Sequence, residues 1–223
     1  MLDDKNVIII QFQMYGLGHI WRKGIRGNNA DGTFQLAVAL KLATELKKIF
    51  PELIMTSQEP CHLPDEIEYL RNRNIHVFER RSFSPDHFIN QLSKVKISNQ
   101  GLMICYMIHF SINDFEDFLA AHWNSEILCR IIFVGNWFLD PIFSEHIKKY
   151  KKTKEFCEMV DYRKTLPFEY PNLERNENNF YGFGQWPPYS NHPSDFLSWL
   201  SFGNGHIFGI SYENAKMLIQ KVM

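Results

Sequence analysis

The stretch NVIIIQFQMYGLGHIW, residues 6–21, decides the fold. Its Ile- and Val-rich run stops at Gly16 and Gly18, as a central strand of a parallel sheet does where it emerges at the sheet edge. Ligands of open α/β sheets bind at such edges. A full dinucleotide fingerprint places a third glycine three residues after the second, and Trp21 stands there instead. GLG is therefore more than a strand end and less than a dinucleotide-binding turn.

Working outward, HIWRKGIRGNNADGT (19–33) is a polar, glycine-punctuated loop, and FQLAVALKLATELKKIF (34–50) reads as a helix. Leu36, Leu40, Ala43 and Leu46 recur at helical spacing, Lys47 and Lys48 occupy the last turn, and Pro51 is a stop. ELIMTSQ (52–58) follows as a strand and LPDEIEYLRNR (63–73) as a helix with Pro64 and acidic residues in its first turn. IHVFE (75–79) is the next strand, and SPDHFINQLSKV (84–95) a helix with Ser84 as N-cap and Pro85 at N1. GLMICYMIHF (101–110) is a fourth strand; SINDFEDFLAAHW (111–123) then sets Ser111 and Asp114 at capping-box spacing, with Phe115, Phe118 and Leu119 on the apolar face. CRIIFVG (129–135) is the fifth strand, and DPIFSEHIKKYKKTKEF (140–156) opens a helix with Asp140 as cap and Pro141 at N1.

Strands that alternate with helices, joined by right-handed crossovers, predict an α/β, Rossmann-like fold: a mainly parallel sheet with helices on both faces. The expected strands are 7–14, 53–57, 75–79, 102–108 and 129–134. The basic run HIKKYKKTK (146–154) is a solvated helix face or a docking patch. From Asp161 the alternation dissolves into Pro, Asn and aromatic residues, with SYENAKMLIQKV (211–222) as a terminal helix. The expectation is one domain over 1–223, with its core in 6–159. An irregular, aromatic-rich part, 160–223, packs on that core through residues such as Trp186 and Trp199.

Lys plus Arg (24) nearly cancels Asp plus Glu (25), so no long-range field draws the chain to nucleic acid or an anionic membrane. No apolar run approaches the roughly 20 residues that cross a bilayer, and MLDDKN has neither the basic region nor the apolar core of a signal peptide. Cys61, Cys105, Cys129 and Cys157 are scattered singly, which reads as reduced thiols in the cytoplasm or nucleus.

A parallel sheet brings all its strand ends to one edge, collecting Gly16 and Gly18, Glu59, Arg80 and Arg81, His109 and Asn136. Glycines admit a ligand to the backbone, an acid after the second strand suits ribose hydroxyls, and a His before a helix N-terminus lies near backbone donors. The expected ligand-binding set is Gly16, Gly18, Glu59, His109 and Asn136, serving a small nucleotide-like ligand or a protein partner. Plainer readings stand beside it: glycines that only permit the turn, a solvated Glu59, a hydrogen-bonded core His109, and an Asn136 that ties its own turn. No metal is expected, since Glu59, His62 and His109 lack short helical ligand spacing; the cofactor is left unnamed. No GxSxG, GxxxxGK[ST] or HExxH motif occurs, so catalytic residues are not assigned.

The ordered segments YGLG (15–18) with QLAVALKL (35–42), EP (59–60), CYMIHF (105–110), HW (122–123) and IIFVGNWF (131–138) resemble the Sensitivity to Red light Reduced-like (SRR-like) domain family. YSNHPSDF (189–196) is similar to its closing Asn-containing motif. Glu59 stands where the family usually has Asp, and Ile108 where it usually has Pro. The resemblance implies a regulatory protein, associated with circadian rhythm in plants and with regulation of heme (tetrapyrrole) biosynthesis in animals. An enzyme similar to S-adenosylmethionine-dependent methyltransferases is the alternative, since that fold class also pairs a short glycine turn with an acid after its second strand.

Overall fold

The computed structural model describes residues 7–20, 30–78, 83–96, 98–108, 110–139, 144–165 and 205–222. Their strands form one seven-stranded sheet of order β3-β2-β1-β4-β5-β7-β6. β1 (Val7–Tyr15), β2 (Ile54–Gln58), β3 (Ile75–Phe78), β4 (Gln100–Met107) and β5 (Ile131–Asn136) run parallel, as expected for an α/β, Rossmann-like fold. β1 is central, pairing Gln13 with Thr56 on one side and with Cys105 on the other, and its register to β4 shifts between Ile9 and Gln11.

Alternation along β1 sends its side chains to two different cores. Phe12 and Met14 meet α1 (Ala30–Ile49) and α2 (Pro64–Arg71) through Leu36, Ala39, Ala43 and Leu70. Tyr15 belongs to the other face, which is built on phenylalanines: Phe88 of α3 (Asp86–Leu92), Phe115 and Phe118 of α4 (Ile112–Ala121), and Phe133 of β5. A short α5 (Ser125–Leu128) leads into β5. Phe133 and Phe208 stack at 5.2 Å, and Phe115 packs edge-on to Phe133 at 5.5 Å.

Several boundaries differ from the sequence reading. α1 begins at Ala30, four residues before Phe34, with its first turn laid against the glycine turn. Pro85, not Ser84, occupies the N-cap of α3, and the Ser84 hydroxyl oxygen accepts from the Asp86 N–H at 3.2 Å. The segment after β5 forms two helices, α6 (Ser144–Ile147) and α7 (Lys151–Glu158), in place of one. The second has no capping side chain of its own, because Tyr150 occupies the N-cap position. Glu116 of α4 supplies the acceptors, taking the Thr153 N–H at 2.8 Å and the Lys152 N–H at 3.2 Å. In the basic run, Ile147 and Thr153 are buried while Lys148, Lys149 and Lys151 are exposed, the pattern of a solvated helix face.

Beyond Asp161 the chain regains regular structure that the sequence reading lacked. β6 (Tyr162–Thr165) and β7 (Gly205–Gly209) join the sheet, β7 antiparallel between β5 and β6. The terminal helix, α8 (Tyr212–Val222), is present as expected and buries Ala215 and Leu218 in the phenylalanine core. Asp140, Pro141, Trp186 and Trp199 lie outside the described residues.

Candidate functional site

Gly16 and Gly18 sit at φ +63° and +70°, the left-handed region that glycine adopts without steric cost. A Cβ at Gly16 would stand 3.2 Å from the Phe110 ring, whereas one at Gly18 would meet nothing within 4 Å. Conformation, not space, therefore demands the second glycine. Gly32 provides the close approach: a Cβ there would lie 2.3 Å from the His19 carbonyl oxygen and 2.8 Å from that of Leu17. The third glycine of this turn is thus supplied from the first turn of α1, far from the spacing at which a fingerprint would be sought.

Two acids after β2 fix the turn. Glu59 accepts from the Gly18 N–H through Oε2 and from the Cys61 N–H through Oε1, both at 2.9 Å. Glu66, fully buried, accepts from the Ile20 N–H at 2.5 Å and from the Leu63 N–H at the start of α2 at 2.8 Å. The Gly16 N–H donates to the Gln58 carbonyl at 3.3 Å, and the Thr33 hydroxyl to the Ile20 carbonyl at 2.5 Å. The N–H groups at 16, 18 and 20, which a phosphate-binding turn would present to its ligand, are all engaged inside the protein.

Around this turn lies a crevice of about 250 Å³ lined by Tyr15, Gly16, Gln58, Glu59, Pro60, Phe83, Phe110, Ser111 and Asp114. Its ionised groups among the described lining residues are Glu59 and Asp114. These two carboxylates favour hydroxyl, N–H or cationic groups over anions. Ser111 caps α4, its oxygen accepting from the Asp114 N–H at 3.1 Å and its hydroxyl donating to Asp114 Oδ2 at 2.6 Å. The capping-box spacing announced that pair as a helix start; only the fold makes it part of a crevice wall.

Of the expected site residues, Gly16 and Glu59 line the crevice and Gly18 is bonded to Glu59. Asn136 is connected through Phe110, whose carbonyl accepts its Nδ2–H at 3.2 Å, so it ties β5 to the segment after β4 and not to its own turn. His109, Arg80 and Arg81 lie outside the described residues. Glu66 was missed altogether; its one sequence signal is an acid three residues after Leu63 at a helix start.

Ser57, His62 and Glu66 fall in the order of a nucleophile, a base and a carboxylate, with Ser57 Oγ 3.4 Å from His62 Nε2 and His62 Nδ1 3.5 Å from Glu66 Oε2. Ser57 is fully buried within β2, out of a substrate's reach. Burial lowers the His62 pKa, opposed by the charges of Glu59 and Glu66. Among the described residues no group of three His, Cys, Asp or Glu is placed to hold a metal ion, and no helix is long and apolar enough to cross a membrane. The four cysteines are free, and burial pushes the Cys105 thiol well up and that of Cys157 up to about 12, which leaves both unreactive as nucleophiles.

No curated protein and no solved structure matches the chain. The family model of the SRR1 domain matches residues 2–186, from before β1 to well past β6 and including the glycine turn, both acids and the segments after β4 and β5. The chain belongs to the SRR1 domain family.

Proposed function

We propose that this SRR1 domain protein is a regulator that works by binding a partner or a small nucleotide-like ligand at the strand-end crevice, through Gly16, Gly18, Glu59, His109 and Asn136. Its setting is the cytoplasm or nucleus, where the free cysteines stay reduced. The processes are those associated with SRR-like proteins, circadian rhythm and regulation of heme biosynthesis. The observation that carries this reading is the crevice itself, in which a turn held by two acids opens beside the ends of β1, β2 and β4. Each Glu59 oxygen has acceptor capacity left after its backbone bond, and the hydroxyls of a ribose suit it. Among the described residues a phosphate suits the turn poorly, since its N–H groups at 16, 18 and 20 are engaged and Glu59 and Glu66 stand beside it.

A methyltransferase-like enzyme is the second reading, favoured by the placement of antiparallel β7 between β5 and β6, a strand order on which S-adenosylmethionine-dependent methyltransferases are also built. Likeness of fold does not carry chemistry. A thermal-shift screen against adenosine cofactors, S-adenosylmethionine included, and tetrapyrroles tests both readings. A ligand at a hundred times its Kd adds ~2.7 kcal/mol, and in a chain of this size each kcal/mol moves Tm by ~2–4 °C. Calorimetric titration should then show Glu59→Gln and Gly18→Val weakening the ligand found. A screen without a shift, or affinity unchanged in both variants, removes the crevice as a ligand site.

A further inference from the structure

A second cavity, of about 440 Å³, lies on the other side of Tyr15 and Gln58, against α3 on the phenylalanine face of the sheet. Its volume is in the range of small-molecule sites, roughly 300–1,000 Å³. Its floor is unusual for a central parallel strand, because Gln11 and Gln13, each 2% exposed, stand where apolar side chains belong. Buried amides require partners, and most of their capacity is accounted for. Gln11 Nε2 donates to Gln13 Oε1 and to Thr56 Oγ1, each at 3.2 Å, and the Thr56 hydroxyl donates to Gln13 Oε1 at 2.5 Å. Gln13 Nε2 donates to the Met14 carbonyl at 3.1 Å, and Gln11 Oε1 accepts from His87 Nδ1 at 2.9 Å.

What remains unmet faces this space. Gln13 keeps one N–H. His122, 2% exposed, donates its Nδ1–H to the Phe118 carbonyl at 2.9 Å while stacking on the Phe118 ring at 3.9 Å, which leaves Nε2 as a lone-pair acceptor without a partner among the described residues. The Tyr15 hydroxyl, on a side chain in a residue 4% exposed, has no partner among them either. Burial keeps both imidazoles neutral at pH 7, holding His122 at about 4 and His87 below its ordinary value. The walls are otherwise aromatic and apolar, with Phe78, Phe88 and Met103. Asp86, exposed, is the single ionised group among the described lining residues. Beyond Asp86, an ion would find no counter-charge among the described lining residues. A flat, neutral molecule with both donors and acceptors meets every group left over.

We propose that the cavity against α3 is a binding site for an uncharged planar heterocycle carrying N–H donors and ring acceptors, of which a free nucleobase is the simplest probe, with Tyr15, Gln13 and His122 as its hydrogen-bonding residues. The cavity shares Tyr15 and Gln58 with the strand-end crevice, whereas Gln13, His87 and His122 line the cavity alone, so His122→Phe reads this site apart from the strand-end reading.

The test is calorimetric titration of the full chain with adenine, hypoxanthine, cytosine and uracil, repeated on Tyr15→Phe and His122→Phe. Both substitutions preserve an aromatic ring in place, and Tyr15→Phe removes a hydroxyl that bonds nothing among the described residues, so it keeps its fold. At least one base should bind, and each variant should weaken it tenfold or more while thermal unfolding stays cooperative. Absence of binding by all four bases at millimolar concentration overturns the proposal. So does equal affinity in wild type and His122→Phe, the variant confined to this cavity.

Discussion

Gly18 and Gly32 stand on either side of one turn for different reasons, and substitution separates them. Gly18 needs its positive φ but has open space around it, so Gly18→Ala costs only the left-handed strain of ~1–2 kcal/mol. Gly32→Ala drives a methyl into the backbone carbonyls of His19 and Leu17, and at least about 3 kcal/mol should be lost. Urea unfolding compares them, and equal losses would contradict the packing role of Gly32. His122 adds a pH dependence of definite sign. Its folded pKa is about 4 against 6.5 when exposed, so the unfolded chain takes up the proton first as pH falls. The stability due to its neutral burial is therefore complete above pH 6.5 and is lost on descent toward pH 4. At ~1.4 kcal/mol per pH unit the loss is about 3 kcal/mol. His122→Phe should lose about that much less stability than wild type between pH 7 and pH 4; parallel curves would refute the assignment.

Among the elements, α2 does more than cover the sheet, because its first turn carries the acid that anchors Ile20. Glu66→Gln leaves one of the two backbone donors, of Ile20 and Leu63, facing an amide NH2 in place of a carboxylate oxygen, and each charge-assisted bond is worth ~1.5–3 kcal/mol. Chemical unfolding should show a larger loss for Glu66→Gln than for Glu59→Gln, whose carboxylate is half-exposed. The parallel strands were legible because each is a buried apolar run between helical periodicities, and the Ser111 cap because its spacing is local. Glu66 was not, since its bond to residue 20 spans 46 positions and belongs to the fold. β6 and β7 were illegible for another reason. All four residues of β6 are exposed and β7 is bracketed by Gly205 and Gly209, so neither shows the alternation that marks a half-buried strand. Arg163 and Lys164 on β6 are the charges by which an outer strand resists pairing with a neighbour. The strand-end rule brought Gly16 and Glu59 to one crevice with Gly18 bonded to Glu59, while Ser111 and Asp114 were hidden behind their capping role.

At the scale of the whole molecule, the sheet is completed from its far end. Phe208 of β7 contacts Phe133 and Phe156, and Leu218 of α8 lies in the same core, so residues 205–222 fill the space beside β5. A chain ending at residue 204 should lose cooperative thermal unfolding and sediment as aggregates, while one lacking only Met223 should behave as wild type. A monomeric, cooperatively unfolding product from the shorter chain would show that β7 and α8 are accessories to the core.

The position of β7 also orders events on the ribosome. β1 to β5 emerge first and are able to pair as they leave the exit tunnel, yet β5 is flanked on its outer side by a strand encoded some seventy residues later. Until that segment is translated, the nascent chain carries an unpaired edge beside a patch of exposed phenylalanine rings, the combination that chaperones bind and that drives adhesion between neighbouring chains. Slow translation or stalling between the codons for Asn136 and Gly205 would lengthen this interval, giving the late part of the message a larger share in the yield of folded protein than its contribution to the crevice suggests.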